Sequence, residues 1–194
     1  VYLALAQKKF ATAQELCQKL KNQAITEEEQ NRANLLWIRI YYESGNFARA
    51  MESGTGLFQE MLPGTESYCL LLYQMAQIAM AQEIAPTGYL NKLVNEPIRL
   101  SRLRLLAYLW QGAILYNRGC PEKARETWQE AKNIPWQNYL IDAREANLLS
   151  LLLEKPEPNL EELCTIPFFA NDVYYFCGIQ HEMSGEIPKA REYY

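Results

Sequence analysis

The sequence has a single histidine, no C-x-x-C pair, and no apolar run near the roughly 20 residues that a membrane-spanning helix needs. Its five cysteines, Cys17, Cys69, Cys120, Cys164 and Cys177, are odd in number and widely scattered. That argues for reduced thiols in a cytoplasmic protein and against a disulfide framework or a zinc site. No third glycine, lysine or preceding strand accompanies Gly54-x-Gly56, so a nucleotide loop and its cofactor are not expected. Useful runs of alternating polar and apolar residues are also missing, so no strand is predicted. The lone His181 has no Ser, Cys or carboxylate constellation that needs it, and a structural role is expected. Neither an enzyme nor a metal or cofactor site is expected.

The net charge is −4, which disfavours a phosphate backbone as partner, so this region is expected to bind neither nucleic acid nor membrane. Charged residues make up 22% of the chain, which is ordinary for a folded protein. Arg99, Arg102 and Arg104 with Lys92, and Glu154, Glu157, Glu161 and Glu162, read as solvated faces. No signal peptide or initiator methionine is present, and Tyr194 cuts across a repeat. Residues 1–194 are expected to form one repeat array, with about four full units and a partial unit at each end, taken from a longer chain. Apolar side chains are expected to be exposed at both ends, where other domains of the parent would cover them.

What the sequence does contain is self-similarity, which outranks single-residue motifs as evidence of fold. Gly112, Gly119, Ala124 and Trp128 recur at the same offsets as Gly178, Gly185, Ala190 and Tyr194. Lys123-Ala124-Arg125-Glu126 returns as Lys189-Ala190-Arg191-Glu192, and earlier copies are Gly45 with Arg49-Ala50-Met51-Glu52 and the truncated Ala13-Gln14-Glu15. Gly45 to Gly119 spans 74 residues, or two units of 37, and Gly119 to Gly185 spans 66, or two of 33.

Periodicity predicts helices only. One runs over 10–21 and another from a Thr26/Glu29 capping box to Ser44-Gly45. The partner opened by Phe47 carries Gly54 and Gly56, which should interrupt it or admit a close backbone. Thr65 reads as an N-cap, and 68–82 is apolar enough to be buried on both sides. Further helices are expected to about Val94, over 99–118, from Pro121 to Pro135, over 137–153, over 160–164, over 172–183 and from Ile187 onward. Breaks are expected near Gly45, Pro63, Pro86, Gly119, Pro135, Pro156, Pro167 and Gly185. Ala124 and Ala190 should be buried where paired helices meet, facing Gly112 and Gly178, with the aromatic filling space between units.

A helix, a glycine turn and an antiparallel helix with these markers resemble the tetratricopeptide repeat family, and within it the superhelical sensor region of MalT-like bacterial regulators. The resemblance covers nearly the whole chain. It is closest over 105–135 and 171–194, and most distant over 66–97 and 138–166. It implies an all-α, right-handed superhelix (an α-α solenoid) of antiparallel helix pairs. The first helices would line a concave surface: Arg32, Leu35, Arg39 and Tyr42; then Tyr73 and Gln77; then Leu106, Leu109, Ala113, Tyr116 and Asn117; then Asp172, Tyr175, Ile179 and Glu182. The family's Lys/Asn/Arg clamp for a carboxylate tail is not matched, since Arg39 stands in place of Asn, and Leu35 and Leu109 in place of Lys.

Arg32, Leu35, Arg39 and Tyr42 also share a helix face by spacing alone, with two cations, an aromatic and an aliphatic. That mixture suits recognition of a protein or peptide segment with acidic and apolar side chains. Pairing of both arginines with acids of a neighbouring helix is the alternative. The expected function is a non-enzymatic interaction scaffold. The rival is a regulatory sensor in a signalling ATPase or transcription regulator, binding a small effector or an inhibitor protein.

Overall fold

A computed structural model describes residues 1–96, 101–134, 149–150, 152–153 and 170–194. Among these, all regular structure is helical. The chain divides into two units, Val1–Ile98 and Arg99–Tyr194. The first holds α1 (Tyr2–Ala6), α2 (Phe10–Gln23), α3 (Glu27–Glu43), α4 (Phe47–Glu60), α5 (Glu66–Ala81) and α6 (Thr87–Asn95). The second holds α7 (Ser101–Asn117), α8 (Pro121–Asn133), α9 (Ala170–Met183) and α10 (Ile187–Ala190). Each helix from α1 to α5 packs on the next, as do α7 on α8 and α9 on α10, and α3 also lies against α5.

One turn recurs between the helices of each pair. Lys8, Gly45, Glu83, Gly119 and Gly185 all have left-handed φ, between 55° and 78°. In each copy the next residue's N–H reaches back five residues to a helix carbonyl. The pairs are Lys9 to Ala4, Asn46 to Tyr41, Ile84 to Ala79, Cys120 to Leu115 and Glu186 to His181, at 2.8–3.0 Å. These bonds satisfy carbonyls that a helix C-terminus would otherwise leave without partners. Lys8, Gly45, Glu83 and Gly119 lie 37, 38 and 36 residues apart, so Glu83 supplies the turn midway between the two glycines. Three turns use glycine, which adopts this conformation without steric cost.

Helix starts follow local chemistry. The Thr26 hydroxyl accepts from the Glu29 N–H at 3.2 Å, and the Glu29 carboxylate accepts from the Thr26 N–H at 3.0 Å, closing the expected capping box. Thr65 caps α5 through the Tyr68 N–H at 3.2 Å. Pro121 occupies the first turn of α8, where a missing N–H is harmless. Most side chains of α5 are buried, including Leu71, Leu72, Met75 and Ile78, as its nearly continuous apolar surface predicts.

Packing departs from expectation in three places. Helix α4 continues through Gly54 and Gly56; Gly54 meets the Met75 side chain of α5 rather than a backbone, and nothing lies near Gly56. Ala124 and Ala190 are fully buried as expected, but Gly112 and Gly178 face Trp128 and Tyr194 instead of the alanines. The aromatic therefore fills a notch within its own helix pair. Third, α10 ends at Ala190 in a turn. Tyr2, Leu3, Ile187 and Tyr194 are exposed, matching the expected apolar ends. The breaks expected at Pro135, Pro156 and Pro167, and the helix over 160–164, lie outside the described residues. So does most of the helix expected over 137–153.

Candidate ligand-binding face

In the first unit, α3 and α5 lie side by side with equivalent repeat positions opposed. The Arg39 guanidinium donates to Gln77 Oε1 at 2.9 Å, across the same 38-residue offset that separates Gly45 from Glu83. About three turns nearer the N-terminus of α3, the Ser67 hydroxyl donates to Glu28 Oε1 at 2.8 Å. Register between neighbouring helix pairs is thus held by partly buried polar bonds, in which Ser67 and Gln77 are themselves buried. Buried polar groups need such partners, so a slip of one residue would leave two of them unsatisfied.

The two arginines behave differently. Arg32 is largely exposed and pairs with Glu28 of its own helix at 3.1 Å. Arg39 is mostly covered, pairs with Glu43 at 2.5 Å and lies over the Tyr42 ring, 5.2 Å from its centroid. Both of these carboxylates, Glu28 and Glu43, sit on α3 itself, four residues from the arginine each pairs with. Ile38, Arg39, Tyr42, Gln74, Gln77 and Ile78 surround a depression of about 130 Å³. Leu35 and Tyr73 are buried core residues, so Arg32, Arg39 and Tyr42 carry the accessible surface of this face.

In the second unit, Leu109 is fully buried, and its carbonyl accepts the Trp128 indole N–H at 3.1 Å. Tyr116, Asn117 and Tyr175 come together. The Asn117 amide donates to the Tyr175 hydroxyl, and Tyr175 stacks on Trp110 with centroids 5.2 Å apart. Tyr194 approaches Tyr175 at 5.9 Å and lies over Gly178. Burial, and then the negative charge of Glu182, push the Tyr116 and Tyr194 phenols above their ordinary range. The sequence reading placed Tyr116, Asn117, Tyr175 and Glu182 on this face. It missed Trp110 and Tyr194, although Tyr194 was visible as a repeat marker. The side chain of Asp172 lies outside the described residues, as do Arg99, Arg102 and the acidic group over 154–162.

His181 is buried, stacks on Tyr193 at 5.1 Å, and pairs through Nδ1 with Glu186 at 2.7 Å. It ties the end of α9 to the start of α10, which is a structural role. Burial pushes the Cys17 thiol up to about 11 and the Cys69 thiol up to about 12, so both are poor nucleophiles near neutrality. Among the described residues no group of His, Cys, Asp and Glu is arranged to hold a metal ion. No described helix is long and apolar enough to cross a membrane.

Comparison of the chain with protein-family models, with curated proteins and with solved structures finds no match.

Proposed function

We propose that this chain is a non-enzymatic interaction module, a tetratricopeptide-like superhelix of helix pairs that holds a protein or peptide segment along its first helices. The observation that carries this reading is the register of α3 against α5. Arg39 opposes Gln77 at equivalent repeat positions, so successive first helices present one strip of side chains. Stacked repeats expose extended surfaces of this kind, and such surfaces serve as scaffolds. Arg32, Arg39 and Tyr42 in the first unit, and Tyr116, Asn117 and Tyr175 in the second, supply polar and aromatic groups of the type that anchor interfaces.

The depression beside Arg39 is a shallow feature of the surface, which suits a segment lying across it. The test is a double substitution of Arg39 and Tyr42 to Ala, with helicity checked by circular dichroism. Loss of partner binding by the folded variant supports this surface, and full retention rejects it.

A further inference from the structure

The two cations on the α3 face differ in what their guanidinium groups have left to donate. Arg39 gives one terminal nitrogen to Gln77 and the other to Glu43, lies over the Tyr42 ring, and is only 14% exposed. Arg32 is 63% exposed and donates from Nε to Glu28 Oε1. Among the described residues nothing pairs with its two terminal nitrogens. A guanidinium carries five N–H donors on a planar fork. The outer edge of the Arg32 fork, with two parallel N–H groups, is therefore open to solvent. That edge is also held in place. Glu28 Oε1 accepts from the Ser67 hydroxyl as well as from Arg32, and Ser67 is fully buried on α5. Bonds from Ser67 and Arg32 to one oxygen thus tie an exposed cation to the core of the next helix pair. A long side chain already fixed in this way loses less freedom on binding.

Apolar side chains flank this cation. Glu28, Arg32, Leu36, Arg39 and Glu43 follow spacings of four, four, three and four, so they share one face of α3. The bonds from Arg39 to Gln77 and from Ser67 to Glu28 set residues 38 and 39 apart side by side. By the same register Leu70 of α5 lies level with Arg32. Leu36 and Leu70 are both half-buried, so each keeps part of its apolar surface in solvent. Carboxylates stand in the first turns of the same two helices, with Glu27 and Glu66 both exposed.

We propose that Arg32 anchors a single carboxylate side chain, aspartate or glutamate, of a partner segment, and that Leu36 and Leu70 receive the apolar side chains beside it. The carboxylate accepts two parallel bonds from the outer edge of the guanidinium, while Nε stays on Glu28. A planar fork matches a flat carboxylate in this way, which a lysine ammonium does not. Glu27 and Glu66 repel further negative charge, so the arrangement selects one isolated acid over an acidic run. Arg39, whose terminal nitrogens are already committed, holds the register between α3 and α5 and reads no acid. This inference rests on the reading of the first-helix face as a binding surface, and it names the group that surface takes at one point.

The test titrates the full chain into three short fluorescent peptides that differ only at their centre: leucine-glutamate-leucine, leucine-glutamine-leucine, or three consecutive glutamates. Fluorescence anisotropy reports binding. The single-glutamate peptide should bind most tightly, about tenfold or more above the glutamine peptide. Its affinity should fall as salt rises. Arg32→Gln should remove the preference for glutamate; circular dichroism and an unchanged unfolding midpoint establish that it is folded. Arg32→Lys, which keeps the charge without the fork, should bind the single-glutamate peptide several-fold more weakly than the wild type. Arg39→Ala with Tyr42→Ala should instead weaken the glutamate and glutamine peptides alike. Equal binding of those two peptides, tighter binding of the triple-glutamate peptide, no binding of any peptide, or an Arg32→Gln variant that keeps the preference each overturns the proposal. Peptides that bind alike, while partner capture still requires Arg39 and Tyr42, would reject the acid anchor and leave the interaction module standing.

Discussion

Trp128 occupies the notch that Gly112 leaves, and its indole N–H donates to the Leu109 carbonyl at 3.1 Å. A Cβ at Gly112 would fall 2.7 Å from Trp128 Cδ1 and nearer still to Nε1. The same sixteen-residue spacing sets Gly178 against Tyr194, while the corresponding pair in the first unit is inverted, with Ile38 buried at the glycine position and Gly54 at the aromatic one. Met75 of α5 then fills the space beside Gly54. One large and one small partner are conserved in volume terms across the three pairs, although their order is not.

The two glycine notches should respond differently to a methyl group. Gly112→Ala forces a rigid, fully buried indole to move and should destabilise by about 1–3 kcal/mol. Gly178→Ala meets Tyr194, which is mostly exposed and free to swing outward, so its cost should be well under half of that. Urea unfolding of both variants, with Trp128 emission as a second probe, checks the order; equal losses would contradict the packing described.

Turn residues without glycine carry strain. Glu83 holds φ at 59°, a conformation that costs a side-chain-bearing residue roughly 1–2 kcal/mol. Glu83→Gly should raise stability by about 0.5–1 kcal/mol, once the added freedom of the unfolded chain is deducted. Gly119→Ala should act in the opposite direction, since Gly119 holds φ at 74°. Thermal unfolding of the pair of variants measures both signs.

Acid should weaken the start of α3. Backbone hydrogen bonds from Thr26 and then Ile25 hold the Glu29 carboxyl below its ordinary value of 4.5. A group depressed in the folded state stabilises fully above its unfolded pKa, and that contribution fades as pH falls through the folded pKa. Unfolding midpoints of the wild type should therefore drop faster below about pH 5 than those of Glu29→Gln. Parallel pH profiles for the two proteins would contradict this. At neutral pH, Thr26→Ala should cost about 1 kcal/mol through loss of the cap.

The seam between α3 and α5 supplies another test. Arg39→Leu strands the buried Gln77 amide oxygen, whereas Arg39→Leu with Gln77→Leu replaces both partners by apolar groups. The single variant should lose about 1–3 kcal/mol and the double variant less, because an unmatched buried polar group costs more than an absent pair. A double-mutant cycle by urea unfolding gives the coupling, and strict additivity would place Arg39 outside the seam.

Much of the fold was legible because the signals are local. Gly45, Gly119 and Gly185 announce their turns, and Thr26, Glu29 and Thr65 announce their caps through chemistry completed within a few residues. Lys8 and Glu83 make the same turn without glycine, so only their backbone bonds reveal it. Gly54 looked like a helix breaker because Met75, which packs on it, lies on the next helix. The site was less legible. Spacing places Arg32, Leu35, Arg39 and Tyr42 on one face, but tertiary packing decides what that face shows: Leu35 is buried, Arg39 is mostly covered and bonded to Gln77 of α5, and Arg32 stays in solvent. Tyr116, Asn117 and Tyr175 were placed on the face by the family resemblance, and the structure joins Asn117 to Tyr175 through a hydrogen bond.

Site-specific photo-crosslinking tests the central claim most directly. A photoreactive residue is introduced singly at Tyr42 and Tyr116 on first helices, and at Glu52 and Glu126, exposed positions on the second helices α4 and α8. Irradiation in cells followed by mass analysis then identifies any adduct. The account predicts covalent adducts with one common protein partner from Tyr42 and Tyr116, and none from Glu52 or Glu126. Adducts confined to Glu52 and Glu126, or none from Tyr42 and Tyr116, would contradict it.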